Sequence, residues 1–306
     1  MLLLYHSSPI ERQWTEASGG AAGKICELAR KPSQLSGWSQ VLALNGKQPD
    51  ADVANVDSTL SFFQYGNTKE YIEPLTGVAR HPFAAVGCRL GDFGVTEAHV
   101  LNYSYIVLPR GRCKQPTQPT QPTQATQPQA ARKYKLFDLG CSTFRSKRRK
   151  RESDSTGTFL GASIPLFIGM YEDICIWFDS IVGWEAKPLK NWFKHVPFPL
   201  KERIDFRNFP VTAAEFRAEL TKCSADDYVV VKLDIDHSPT ELEIVDVIFE
   251  LPHLVDEFFF EYHFHFDNLN FGWGRLQQLR KTHNATTAID LMHRLRRAGV
   301  RAHYWI

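Results

Sequence analysis

Residues 228–236 read YVVVKLDID, a β-branched apolar run broken only by Lys232 before it closes on Asp234 and Asp236. Near-continuous apolar runs of this length mark strands buried on both faces, the condition of a parallel sheet. The two carboxylates stand at the C-terminal end of the run, where open α/β sheets bind their ligands. Four more segments share the design of an apolar run with a polar or glycine tip: 134–140 (YKLFDLG), 178–185 (FDSIVGWE), 204–211 (IDFRNFPV) and 258–265 (FFFEYHFH). The intervals 164–174, 187–193, 213–222 and 238–249 are long enough for crossover helices. Thr212 and Glu215 form a capping-box pattern ahead of Phe216 and Leu220. Ser238 followed by Pro239 predicts an N-cap with proline at the first helical position. A last helix, 288–298, with Ile289, Leu291, Met292 and Leu295 as its apolar stripe, stops at Gly299 and releases a strand over 300–306. The alternation predicts an α/β fold: a Rossmann-like sheet of six or seven mostly parallel strands with helices on both faces.

The 306 residues, 43% apolar, suffice for a full core. No apolar run approaches the ~20 residues of a membrane helix, so no membrane partner is expected. Met1 to Leu4 is too short, and lacks the basic flank, for a secretory signal. Cys26, Cys88, Cys113, Cys141, Cys175 and Cys223 are scattered without a CxxC. They predict buried free thiols and a cytoplasmic setting. A formal charge of +2 gives no ground for nucleic-acid binding.

Residues 115–129 hold three Gln-Pro-Thr triplets, a polar, proline-rich composition that cannot build a core. They mark 113–131 as a linker between an N-terminal extension, 1–112, of unassigned role and an α/β domain, 132–306. The extension reads as irregular to about Asp57, as an ordered loop over 71–83, and as a strand over 103–108. Residues 145–151, RSKRRKR, carry six cations in seven. That run suits a nuclear-localisation signal, a phosphate-binding patch or a solvated loop insertion.

The strand tips carry the chemistry. The first offers Asp138 and Gly140, the second Glu185, and the fourth Asp234 and Asp236, the layout of a nucleoside-binding sheet. A glycine lets a cofactor approach the backbone, and a second-strand acid accepts hydrogen bonds from ribose hydroxyls. The bland counterparts are Asp138 capping a turn, Glu185 as a surface acid, and Lys232, Asp234 and Asp236 as a structural ion-pair cluster. Asp234 and Asp236 alternate with Leu233 and Ile235, so a strand would put both on one face. In residues 261–267, EYHFHFD, the same alternation aligns Glu261, His263, His265 and Asp267. Histidine with carboxylate suits acid/base work or a divalent metal. Alternate Cβ atoms lie ~6.5 to 7 Å apart, so four such groups cannot share one ion, and His263 stands as an acid/base or substrate contact.

FDLGCS, FDSIVGWE and DDYVVVKLDIDHSPTELEIV, in that order, resemble the class I S-adenosylmethionine-dependent methyltransferases, and among them the FkbM-type group. The group's fourth-strand pattern, K-[LI]-D-[VI]-[DE]-G-x-E, is similar to Lys232, Leu233, Asp234, Ile235 and Asp236 with Glu241 or Glu243. The resemblance covers 133–306; residues 1–112 resemble no family. It implies S-adenosylmethionine as cofactor, contacted by Asp138, Gly140, Glu185 and Asp234. It further implies O-methyl transfer to a small-molecule or glycan hydroxyl, with His263 or Asp236 as base. Trp184, Tyr262, Phe271 and Trp273 could stack on such a substrate or simply fill the core. In place of the group's DxGxGxG loop the chain has Asp138-Leu-Gly-Cys-Ser-Thr-Phe and then the basic run, with Gly157 and Gly161 only beyond it. A non-catalytic interaction protein on the same fold is therefore the alternative. A glycosyltransferase holding Mg²⁺ or Mn²⁺ at Asp234 and Asp236 is a third.

Overall fold

A computed structural model describes residues 4–17, 27–28, 31–50, 55–76, 103–111, 132–144, 162–262 and 285–305. The Gln-Pro-Thr segment, the basic run, Gly157, Gly161, His263, His265, Asp267, Phe271 and Trp273 lie outside those residues. In the N-terminal region, β1 (Leu4–His6), β2 (Ser61–Tyr65) and β3 (Thr68–Ile72) form an antiparallel sheet in the order β1-β2-β3. The region's two longer described helices are α1 (Pro9–Ala17) and α2 (Pro32–Ala43), and a single helical turn, Val56–Thr59, precedes β2.

These elements correct the expectation of an irregular start. The local signal is Ser8-Pro9-Ile10-Glu11, in which the Ser8 Oγ accepts the Glu11 amide proton at 3.1 Å and starts α1. Residues 103–108 are the reverse case: 105–108 are buried and apolar, but the segment forms a 3₁₀ turn at Tyr103–Tyr105, not a strand. Their backbone groups are satisfied by side chains and loops, with Val107 N donating to Glu73 and Leu108 N to the Gly46 carbonyl.

From residue 132 onward the chain alternates as expected except between β5 and β6: β4 (Tyr134–Leu139), α3 (Ser163–Glu172), β5 (Ser180–Trp184), β6 (Ile204–Arg207), α4 (Ala213–Leu220), β7 (Tyr228–Leu233), α5 (Ser238–Glu250), β8 (Glu257–Phe260), α6 (Ala285–Arg297) and β9 (Arg301–Tyr304). The six strands pair in parallel throughout, in the order β6-β5-β4-β7-β8-β9. The chain is thus an α/β protein with the doubly wound order, in which the winding reverses between β4 and β7. Alternate strand residues feed two cores. Phe137, Val229, Val231 and Phe258 pack with α4, α5 and α6, while Leu136, Val230 and Phe259 pack with α3 and with residues 105–108.

No helix forms over 187–193. Asn191 adopts a left-handed conformation (φ 58°), and a 3₁₀ turn, Trp192–His195, follows. The β8 strand stops at Phe260, short of the expected 265. Cys141 and Cys223 are buried free thiols, but Cys175 is disulfide-bonded, which corrects the expectation of free thiols for that residue. No described helix is long and apolar enough to cross a membrane.

Candidate functional site

A cavity of about 580 Å³ opens at the C-terminal ends of β4, β5 and β7, beside the point where the winding reverses. Its volume falls in the ~300–1,000 Å³ range of small-molecule sites. Gly140, Glu185, Asp234 and Asp236 all line it. The sheet brings these four together because parallel register places Asp138 opposite both Gly183 and Lys232, so the three strands run out at the same level.

Gly140 is at φ 87°, and a Cβ built there would lie 1.7 Å from the Asp234 carbonyl oxygen. The chain leaving β4 thus crosses directly over the chain leaving β7, which only glycine permits. The crossing is pinned from both sides: Gly140 N and Cys141 N donate to the Trp184 carbonyl, and Asp234 N donates to the Leu139 carbonyl.

Beneath the crossing sits Lys232, with 1% of its side chain exposed. Its Nζ donates to the Gly140 carbonyl at 2.8 Å and pairs with Asp234 at 2.9 Å; Asp138 Oδ1 is 3.5 Å away. Burial opposes the Lys232 charge, but Asp234 and Asp138 outweigh it and hold the ammonium above its ordinary pKa. Burial pushes the Asp138 carboxyl above its ordinary pKa against the pull of Lys232, and Ser163 Oγ donates to it at 2.5 Å. Asp138 is fully buried within β4, not at its tip, and does not reach the cavity wall. Burial likewise raises the neighbouring Cys141 thiol, which keeps it protonated and inert.

Glu185 orders the rim. Its Oε2 accepts from Ser142 N at 3.0 Å and its Oε1 from Lys187 N at 2.7 Å, so the loops after β4 and β5 close on one carboxylate. Each oxygen keeps a second lone pair for a ligand. Ser142 is itself left-handed (φ 52°), and its carbonyl accepts from Trp192 Nε1 at 2.8 Å.

The expected alternation of Asp234 and Asp236 on one strand face does not hold. The strand ends at Leu233, Ile235 N donates to Glu241 Oε1, and Asp236 turns left-handed (φ 56°). Both acids still reach the cavity, Asp234 clamped by Lys232 and Asp236 exposed at the rim. Of the two candidate glutamates, buried Glu241 anchors this turn and Glu243 faces solvent. The cap of α5 is the His237 side chain, which accepts from Thr240 N, rather than Ser238. The Thr212–Glu215 capping box on α4 is present in both directions.

Sequence reasoning missed Ser142, Lys187, Thr212, His237 and Thr240 on the wall. Thr212 and His237 had a findable signal, since each caps a helix whose amino end faces the sheet's ligand-binding edge. Trp184, expected only as a stacking or core aromatic, is 1% exposed, lines the cavity, and has an indole N–H with no hydrogen-bond partner among the described residues. Tyr262 packs in the core, its hydroxyl 3.1 Å from Thr287 Oγ1. Among the described residues no group of three His, Cys, Asp or Glu could hold a metal ion.

The arrangement offers an acid for hydroxyls and two helix amino ends beside the backbone crossing. Set against known proteins, the chain matches no family model, no curated protein and no solved structure.

Proposed function

We propose that this cavity binds S-adenosylmethionine and that the chain is a methyltransferase acting on a hydroxyl of a small molecule or glycan. The observation that carries the reading is the place of the cavity: it lies where the β-sheet winding reverses, with a glycine crossing on one strand tip and an acid on the next. The residues present fit the group. Glu185 accepts ribose hydroxyls with its remaining lone pairs, and Gly140, Asp234 and Asp236 stand on the wall of the same cavity. The cofactor supplies the electrophilic methyl group. The chain's part is to align the acceptor, exclude water and take up the hydroxyl proton. Asp236 is the carboxylate for that last role, standing exposed at the rim of the cavity.

Calorimetric titration with S-adenosylhomocysteine tests the reading. Saturable one-to-one binding is expected. Glu185→Gln should weaken it by roughly 10- to 100-fold, the worth of a hydrogen bond to a charged group. Absence of heat, together with an unshifted melting temperature at millimolar ligand, overturns it. The interaction-protein reading would then stand on the exposed Trp177 and Phe198, 56% and 75% accessible.

A further inference from the structure

A second cavity, about 680 Å³, lies at the opposite end of the sheet, where the strands begin. Tyr134 opens β4, Tyr228 opens β7, Asp256 precedes β8 and Arg301 opens β9; the β2–β3 hairpin closes the other side with Tyr65 and Glu70. Four arginines line it: Arg110, Arg132, Arg297 and Arg301. Arg132 pairs with Asp256 at 2.9 Å, and Arg301 binds Glu257 with its Nε at 2.9 Å. Among the described residues Arg110 and Arg297 make no ion pair.

Arg301 is 2% exposed, and its Nη2 is spent on the Tyr71 and Val107 carbonyls. Its Nη1 has no hydrogen-bond acceptor, the nearest carboxylate oxygen being that of Glu70 at 3.8 Å. A buried guanidinium nitrogen without an acceptor is costly, and native proteins complete such groups with water, an ion or a ligand. The four arginines face three acids, Glu70 and Asp256 on the wall and the Glu257 that pairs with Arg301, an excess of one positive charge. A phosphate monoester carries −1.5 to −2 at neutral pH and takes guanidinium forks two oxygens at a time. Pro109, Ile176 and Val255 add an apolar wall that inorganic phosphate would leave unused.

We propose that this cavity is a binding site for a small organic phosphate ester, its phosphate seated among Arg110, Arg297 and the buried Nη1 of Arg301 and its organic part against the apolar wall. The site is separate from the strand-tip cavity and independent of the methyl-transfer reading.

The test uses calorimetry on the full chain with phenyl phosphate, inorganic phosphate and phenylacetate, alone and with S-adenosylhomocysteine present. Phenyl phosphate should bind tightest and lose affinity as salt is raised. The double variant R110A/R297A alters two exposed residues, so its fold should be unaffected. It should weaken phenyl phosphate at least ~10-fold while leaving S-adenosylhomocysteine titration as in the wild type. Equal or tighter binding of phenylacetate overturns the phosphate assignment. No saturable binding of phenyl phosphate, or binding unchanged in the double variant, overturns the site.

Discussion

A methyl group on Gly140 has nowhere to go: the Asp234 carbonyl is 1.7 Å from it and φ is 87°. Gly140→Ala is expected to cost about 3 kcal/mol, the upper end of the usual range for single substitutions, because both chain crossing and backbone angle must yield. Urea denaturation checks this; a loss under about 1 kcal/mol would mean the two strand exits are not held together as described. Lys232→Met strands Asp234 without its cation and should cost about 3–5 kcal/mol. Asp138→Asn should cost far less in the same assay, since burial already favours the neutral carboxyl. If the asparagine variant were the worse of the two, Asp138 would be the charged partner of Lys232. Gly140, Glu185 and Asp234 were legible in the sequence because a residue following an apolar run must leave the sheet. Asp138 was misplaced because the run does not say where the ladder's last hydrogen bond falls.

One helix cap was fully legible among the elements, while that of α5 fell one residue earlier than Ser238, on His237. Thr212 and Glu215 sit three apart with apolar residues behind them, and both halves of the capping box form. Thr212→Ala should lower stability by about 1 kcal/mol, measurable as a fall in the urea midpoint. An unchanged midpoint would show that α4 is held by its packing alone. The expected helix over 187–193 and strand over 103–108 failed for a common reason. Apolar content shows that a segment is buried, not what its backbone groups bond to. At 103–108 they bond to Glu73, Gly46 and Arg301, partners far away in sequence. At 187–193 Asn191 breaks the helical geometry. The Ser8–Glu11 signature was readable, and passing over it cost the first helix.

Across the whole molecule, buried ion pairs join the N-terminal region to the far edge of the large sheet. Arg296 Nη1 bonds Glu11 at 3.0 Å and the Glu73 carbonyl at 2.8 Å. His303 Nδ1 lies 2.7 Å from Glu73, and Glu257 joins Arg301, Tyr171 and Tyr228. None of this was legible, because charged residues in sequence look like surface until their partners are known. Although burial opposes ionisation of Glu257, the imidazole of His303 3.6 Å away and the bond from Arg301 hold its pKa down to about 2. The stability it lends is therefore complete above the ordinary ~4.3 and lost as pH falls toward 2. His303 is the opposite case: burial disfavours its charge, but Glu73 and Glu257 raise its pKa. Its contribution is complete below ~6.5 and fades as pH rises through the folded value. Thermal melts of wild type and His303→Gln are expected to differ most near pH 5.5 and to converge at alkaline pH; a pH-independent gap would mean His303 stays neutral. The pairing of Glu11 with Arg296 spans 285 residues, and this separation bears on biosynthesis. At ~5–20 residues per second, the ribosome releases Arg296 about 15–60 s after Glu11. Until then Glu11 can accept from Tyr5, Ser61 and the Leu75 amide but lacks its guanidinium, so the buried pair that ties the first helix to the last closes only when nearly the whole chain has been made.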